Sequence, residues 1–171
     1  KNNLRAICAE ISRRYKYHNA GMFIYGDATS QKKDTKLEEG QNFFKLAIRY
    51  LAKFKPIKRV PKANPSVTMR CNFVNALFSG EIPDCEAIIG EHNELTIADL
   101  SNILEASDGK KLKIKEKDAK TGITFEPWGH FSDSMDYFLL WFFKAQYKLY
   151  QGGADFSTPR KIKRRTLKRS Y

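Results

Sequence analysis

Two acidic residues stand where the chain could do chemistry. Asp27 closes the apolar run Gly21-Met-Phe-Ile-Tyr-Gly26, which reads as a buried strand, and ligands of open α/β sheets bind at such strand ends. Asp133 enters the first turn of the most apolar helical segment, three residues after His130. Two carboxylates held in this way can share a divalent ion. A pair of such ions about 4 Å apart stabilises the attacking and leaving oxygens of a phosphodiester displacement. Oxygen ligands select Mg2+ or Mn2+ over zinc. Each acid also has an ordinary reading. An Asp after a strand serves as a turn residue or helix cap, and an Asp in a first helical turn suits the macrodipole. His130 taken alone reads first as a hydrogen-bonded surface histidine.

The rest of the composition narrows the partner. The 171 residues carry 31 Lys plus Arg against 19 Asp plus Glu, a net charge of +12. Such an excess favours a polyanion, because each neutralised phosphate releases counterions. Nucleic acid comes first and an acidic membrane surface second. The longest apolar run, Tyr137 to Phe143, is far below the roughly 20 residues of a membrane span, so a soluble protein is expected. Cys8, Cys71 and Cys85 are scattered, and His18, His92 and His130 have no zinc-finger spacing. Three reduced thiols in an intracellular protein are expected, with Cys8 and Cys71 on buried helix faces.

The elements that must position the acids follow from periodicity. Leu4, Ile7, Cys8, Ile11 and Tyr15 recur at helical spacing, predicting a helix over 3–17. The strand ending at Asp27 comes next, then a helix from about Leu37 to Phe54 and a short β-prone segment, Ile57 to Val60. Helix–strand–helix–strand is the pattern of a parallel sheet covered by helices. Asn64-Pro65-Ser66 predicts a helix start with Asn as N-cap, opening a helix with Val67, Cys71, Val74 and Phe78 on one face. Residues 84–106 read as helical pieces, with Thr96 and Asp99 as a second start. Lys111–Lys117 and Gly122–Glu126 predict a β-hairpin across Asp118–Thr121. The last helix, from near Ser132 to Gly152-Gly153, is apolar nearly all round and reads as the buried central helix. Beyond Pro159 the chain turns basic, predicting a flexible tail over 153–171.

An ordered set of motifs resembles the C-terminal nuclease domain of tailed-phage terminase large subunits. The matching segments are Tyr25-Gly26-Asp27-Ala28, Val60-Pro61-Lys62-Ala63-Asn64-Pro65-Ser66-Val67, Arg70-Cys71-Asn72-Phe73-Val74-Asn75-Ala76, and His130-Phe131-Ser132-Asp133-Ser134-Met135-Asp136-Tyr137. They span residues 4 to about 140 in the family's order. The resemblance implies an α/β domain over 1–152 with an RNase H-like mixed sheet flanked by helices and an added β-hairpin. It also implies two Mg2+ or Mn2+ ions held by three acids, of which Asp27 is the middle and Asp133 the last. His130 matches a histidine that some relatives place beside the metals, to ligate one or to orient water or phosphate. The implied activity is metal-dependent endonuclease cleavage of concatemeric double-stranded DNA during genome packaging, in the host bacterial cytoplasm, encoded by phage or prophage. Implied partners are duplex DNA, the small terminase subunit, the portal protein and the enzyme's own ATPase domain, with no membrane.

Departures from the family pattern matter. The family's first catalytic Asp lies on a strand ahead of the helix predicted at 3–17, so the first strands and that Asp are expected upstream of Lys1. In an alternative placement Asp27 is the first acid and the middle one must lie near Asn64 or at Asp84. Asp136 and Ser134 stand where relatives usually have Gly and Ala, so Asp136 either assists a metal or faces solvent. No G-x-x-x-x-G-K-[ST] motif is present, so the ATPase half is absent. Candidate DNA contacts are Lys32, Lys33, Lys62, Arg70 and the alternating Lys111, Lys113, Lys115 and Lys117, with Lys120 in the turn and Lys36 in the first loop. The same hairpin lysines equally suit an edge strand protected from aggregation. Two competing readings are another RNase H-like nuclease, such as a Holliday-junction resolvase, and a noncatalytic basic DNA-binding module.

Overall fold

A computed structural model describes residues 4–32 and 41–154. The expectations for Lys33, Lys36 and the basic residues beyond Pro159 lie outside the described residues. Helix α1 (Leu4–Arg14) is followed by strand β1 (Met22–Tyr25), a 3-10 turn (Ala28–Gln31), helix α2 (Phe43–Tyr50) and strand β2 (Pro56–Arg59). β1 and β2 pair in parallel, with Met22 opposite Pro56 and Tyr25 opposite Arg59. The α/β order expected from periodicity is therefore present, and a parallel pair requires a crossover such as α2.

Strand alternation decides what each face of β1 meets. Met22 and Ile24 pack against Cys8 of α1 and against Leu51 and Phe54 after α2. On the opposite face the Tyr25 ring meets Phe138 at 5.2 Å and Trp141 at 6.1 Å, both nearly edge-on. The pair thus lies between a helical layer of α1 and α2 and the helix that carries Asp133. The expectation of a buried strand is corrected, because Phe23 and Ile57 are 47% and 57% exposed. Parallel strands are ordinarily covered on both faces; here α5 reaches that face only at Tyr25, and Phe23 is met by the Arg59 guanidinium 3.3 Å from its ring.

A second core joins helix α3 (Val67–Phe78) to the C-terminal helices through Phe73, Val74, Leu77, Leu139, Leu140 and Tyr147. The single helix expected from Ser132 to Gly152 is two: α5 (His130–Phe142) and α6 (Lys144–Gln151), broken at Phe143. Nor is α5 buried all round, since Phe131, Phe138 and Phe142 are exposed. Its buried face carries Ser132, Asp136, Leu139 and Leu140, so part of what the helix hides is polar.

Between α3 and α5 lie helix α4 (Glu94–Asn102) and four two-residue strands: β3 (Leu104–Glu105), β4 (Lys111–Leu112), β5 (Glu116–Lys117) and β6 (Thr124–Phe125). β4 pairs antiparallel with β3, and β5 with β6. The expectation of one long Lys111–Lys117 strand is corrected: its first residues pair backwards to 104–105 and only its end pairs forwards. The forward turn is held by Asp118, whose Oδ1 accepts from the Lys120 and Thr121 amides at 3.0 and 2.7 Å and from the Thr121 hydroxyl. The described strands make three separate two-stranded sheets rather than one mixed sheet. No described helix is long and apolar enough to cross a membrane.

Candidate active site

Asp27 directly follows β1. Its Oδ1 accepts from the Thr29 amide and hydroxyl and from Asn64 Nδ2 at 2.8 Å. The first two contacts make it the cap of the 3-10 turn, so the ordinary reading of a capping Asp is realised. The third contact ties it to the loop leaving β2. Asn64 also accepts the Ala28 amide through Oδ1 at 2.8 Å, bridging the C-terminal ends of both parallel strands. Asn64 was expected to cap the next helix; α3 instead begins at Val67 behind Ser66. Gly26 is needed here because a Cβ would meet the Phe44 ring at 2.8 Å. Burial alone would raise the Asp27 carboxyl, but hydrogen bonds from Asn64, Thr29 and the Tyr137 hydroxyl hold it below the usual carboxylate range.

Tyr137 connects Asp27 to the second acidic group. Its ring lies 4.8 Å from the Arg70 guanidinium, and Arg70 reaches both carboxylates of α5. Arg70 Nε donates to Asp136 and Nη2 to Asp133, each at 3.1 Å. Lys111 Nζ is 2.8 Å from Asp136 and 3.3 Å from Asp133. Lys113 Nζ is 2.8 Å from Asp133 and 3.7 Å from Glu126. The network therefore contains three carboxylates and three cations and is formally neutral. Neutrality is what permits it to be buried, since an unpaired charge inside a protein costs several kcal/mol.

The two α5 acids differ within this network. For Asp133, burial raises the carboxyl, but the Lys113 hydrogen bond and the fields of Lys111, Lys113 and Arg70 outweigh it and the net shift is downward. Its side chain remains 26% exposed. For Asp136, burial wins over the same cations and the carboxyl is pushed up. Arg70 is also shifted upward: burial works against its charge, but the field of Asp136, followed by those of Tyr137 and Asp133, outweighs it and holds the guanidinium protonated. The alternative that Asp136 faces solvent is excluded, because the residue is 1% exposed.

The start of α5 is set by a residue the sequence did not single out for this. Asp99 of α4 is buried, and its two carboxylate oxygens accept the amides of Gly129 and Ser132, the latter at 2.7 Å. Two otherwise orphan N–H groups of α5 are thereby satisfied. Gly129 has φ 101°, and a Cβ there would lie 3.4 Å from Lys113 Cε, so only glycine fits. Asp99→Ala is expected to destabilise the fold by about 2–3 kcal/mol, through a lost cap and two unpaired amides. A urea midpoint within error of the parent would refute that role.

The remaining predicted residues are dispersed. His130 is exposed at the first turn of α5, in a cleft with Lys115, Thr124, Phe125 and Glu126, and its ring makes no hydrogen bond among the described residues. Lys115, Lys117 and Lys120 are exposed on or beside the β5–β6 hairpin, and Lys32 and Lys62 are exposed near the strand ends. Arg70, predicted as a DNA contact, is 4% exposed, and its guanidinium is committed to Asp133 and Asp136. Lys111 and Lys113 likewise point at carboxylates rather than outwards.

Comparison with protein-family models, curated proteins and solved structures found no match. The chemistry must then be judged on the donor set. Among the described residues no group of three or more His, Cys, Asp or Glu is assembled around one point. The oxygens of Asp27 and Asp133 are of the kind that hard divalent ions take. At Asp133 they are satisfied by the Arg70 guanidinium and the ammonium groups of Lys111 and Lys113. A divalent ion at Asp133 would compete there with Lys113 and Arg70, while Lys111 would keep its 2.8 Å contact with Asp136.

Proposed function

We propose that this chain is the nuclease domain of a terminase-like enzyme, an RNase H-like endonuclease that cuts double-stranded DNA with Mg2+ or Mn2+. One observation carries the reading. Asp27 and Asn64 lie at the C-terminal ends of two parallel strands and connect through Tyr137 and Arg70 to Asp133 at the start of α5. Strand ends of this kind are where open α/β sheets place ligands, and the net charge of +12 suits a polyphosphate.

Within that reading Asp27 and Asp133 hold the metal and Asn64 fixes the orientation of Asp27. Asp136 serves as the buried anchor of Arg70. A divalent ion bound there supplies charge stabilisation for the oxygens of a phosphodiester displacement. Lys113, once off Asp133, is the cation left to meet a phosphate arriving at the same place, since Lys111 stays on Asp136. The small terminase subunit, the portal and an ATPase domain remain proposed partners on the strength of the sequence resemblance.

The test is nicking of supercoiled plasmid with Mn2+, by this chain and by a version extended upstream to include the strands that the resemblance implies. Cutting by the longer protein alone is expected, which makes Asp27 the middle of three acids. DNA binding by both proteins with cutting by neither overturns the nuclease reading in favour of a noncatalytic module.

A further inference from the structure

A second cleft, of about 530 Å³, opens beside Tyr137 and shares no lining residue with the lysine–carboxylate network. One wall is the loop leaving β2, with Lys62 and Pro65. The other is a continuous face of α5 and α6 presenting Tyr137, Trp141, Lys144 and Lys148. Its volume falls in the range of about 300–1,000 Å³ typical of small-ligand sites. No acidic residue lines it. Among the described residues Lys62, Lys144 and Lys148 have no ion-pair partner, in contrast to Lys111 and Lys113.

The aromatic part is held before any ligand arrives. The Trp141 indole lies 4.2 Å from the Arg59 guanidinium and 6.1 Å from the Tyr25 ring, so little side-chain freedom remains to be lost on binding. Tyr147, also lining the cleft, is 7% exposed and its hydroxyl has no hydrogen-bond partner. A fixed indole, a polar atom left unpaired and three ammonium groups without an ion-pair partner, of which Lys144 lies 5.9 Å from the Trp141 ring, suit an aromatic, hydrogen-bonding anion. A base flanked by phosphates has that chemistry, because every base offers a π face and every linkage a negative charge.

We propose that this cleft binds an unstacked nucleobase of a single DNA strand, with the base against Trp141 and the adjoining phosphates on Lys62, Lys144 and Lys148. Tyr137 lines the cleft and also touches Arg70, so a strand seated here continues towards Asp27 and Asp133. The cleft binds without cleavage and without a divalent ion. Its success or failure is therefore separable from that of the nuclease reading.

The experiment is a tryptophan-fluorescence titration of the full chain in EDTA with octathymidylate, an abasic octamer of equal charge, and thymidine monophosphate. Quenching by octathymidylate, with affinity at least about tenfold above the abasic strand, is expected from one stacked base. Trp141→Phe should remove the quenching and leave only the Trp128 signal. Should that variant misfold by circular dichroism, the exposed pair Lys144→Gln and Lys148→Gln serves instead and should weaken octathymidylate several-fold. Equal binding of the abasic and normal strands overturns the proposal in favour of charge alone. Monophosphate binding as tight as the octamer also overturns it, in favour of a free-nucleotide site.

Discussion

Arg70→Ala is expected to destabilise the protein by about 3–5 kcal/mol, the cost typical of removing one partner from a buried ion pair. The guanidinium is one of two cations that reach Asp136, and the 1% exposure of Asp136 leaves no solvent to replace it. The deficit should also depend on pH in a defined direction. Burial already holds the Asp136 carboxyl above its usual range, and loss of Arg70 pushes it further. An acid whose folded-state pKa exceeds its unfolded value of about 3.9 binds a proton in the folded state first. Stability then rises as pH falls towards that unfolded value. Urea titrations of parent and variant at pH 7 and pH 5 should show a smaller gap at pH 5. A gap of equal size at both values would mean that an unpaired Asp136 charge is not the cause.

The sequence made some of this arrangement legible and concealed the rest for physical reasons. Glycine-bounded apolar runs and helical spacing were enough to predict β1, β2 and the helices around them, because those signals are local. The end of β1 at Asp27 followed from the same pattern. The break at Phe143 was not predictable: no proline or glycine marks it, and the 130–151 stretch keeps a helical pattern across it. The alternating lysines of 111–117 read as one strand since alternation does not specify a partner. Pairing backwards to Leu104–Glu105 turns Lys111 onto Asp136, a long-range outcome that no period encodes. Asn64 preceded a proline and so matched a helix cap. Its actual partners, Ala28 and Asp27, lie 36 and 37 residues away. Asp99 gave only a weak helix-start signal, though it determines where α5 begins.

These placements change which acids should matter for cutting. Asp133 and Asp136 are one turn apart on α5, and by sequence either could serve a metal. Their surroundings separate them: Asp133 keeps an exposed edge and is held ionised, whereas Asp136 is enclosed and shifted towards its neutral form. Asparagine at 136 removes a charge but retains the shape, and Arg70 and Lys111 still have Asp133. A loss of about 1–3 kcal/mol is expected, with cutting per folded molecule within about tenfold of the parent.

Asparagine at 133 or at 27 should do the reverse. Each removes an anionic ligand from the proposed centre, and Mn2+-dependent nicking by the upstream-extended protein should fall about a hundredfold or more, the scale seen when one group stabilising transition-state charge is lost. Asp27→Asn still offers an Oδ1 to the Thr29 amide, so the 3-10 turn after β1 should survive. Salt-sensitive DNA binding should survive in both variants, because the surface lysines are unchanged. The informative measurement is the nicking rate of all three variants, normalised to the folded fraction. Parent-like cutting by the Asp133 or Asp27 variant would remove that residue from the centre. An equal collapse of all three would show that the network supports the fold as a whole rather than dividing chemistry from packing. The structure favours division, since of the three acids varied Asp136 alone is closed off from solvent, whereas Asp133, held by the same Arg70 and Lys111, keeps an exposed edge.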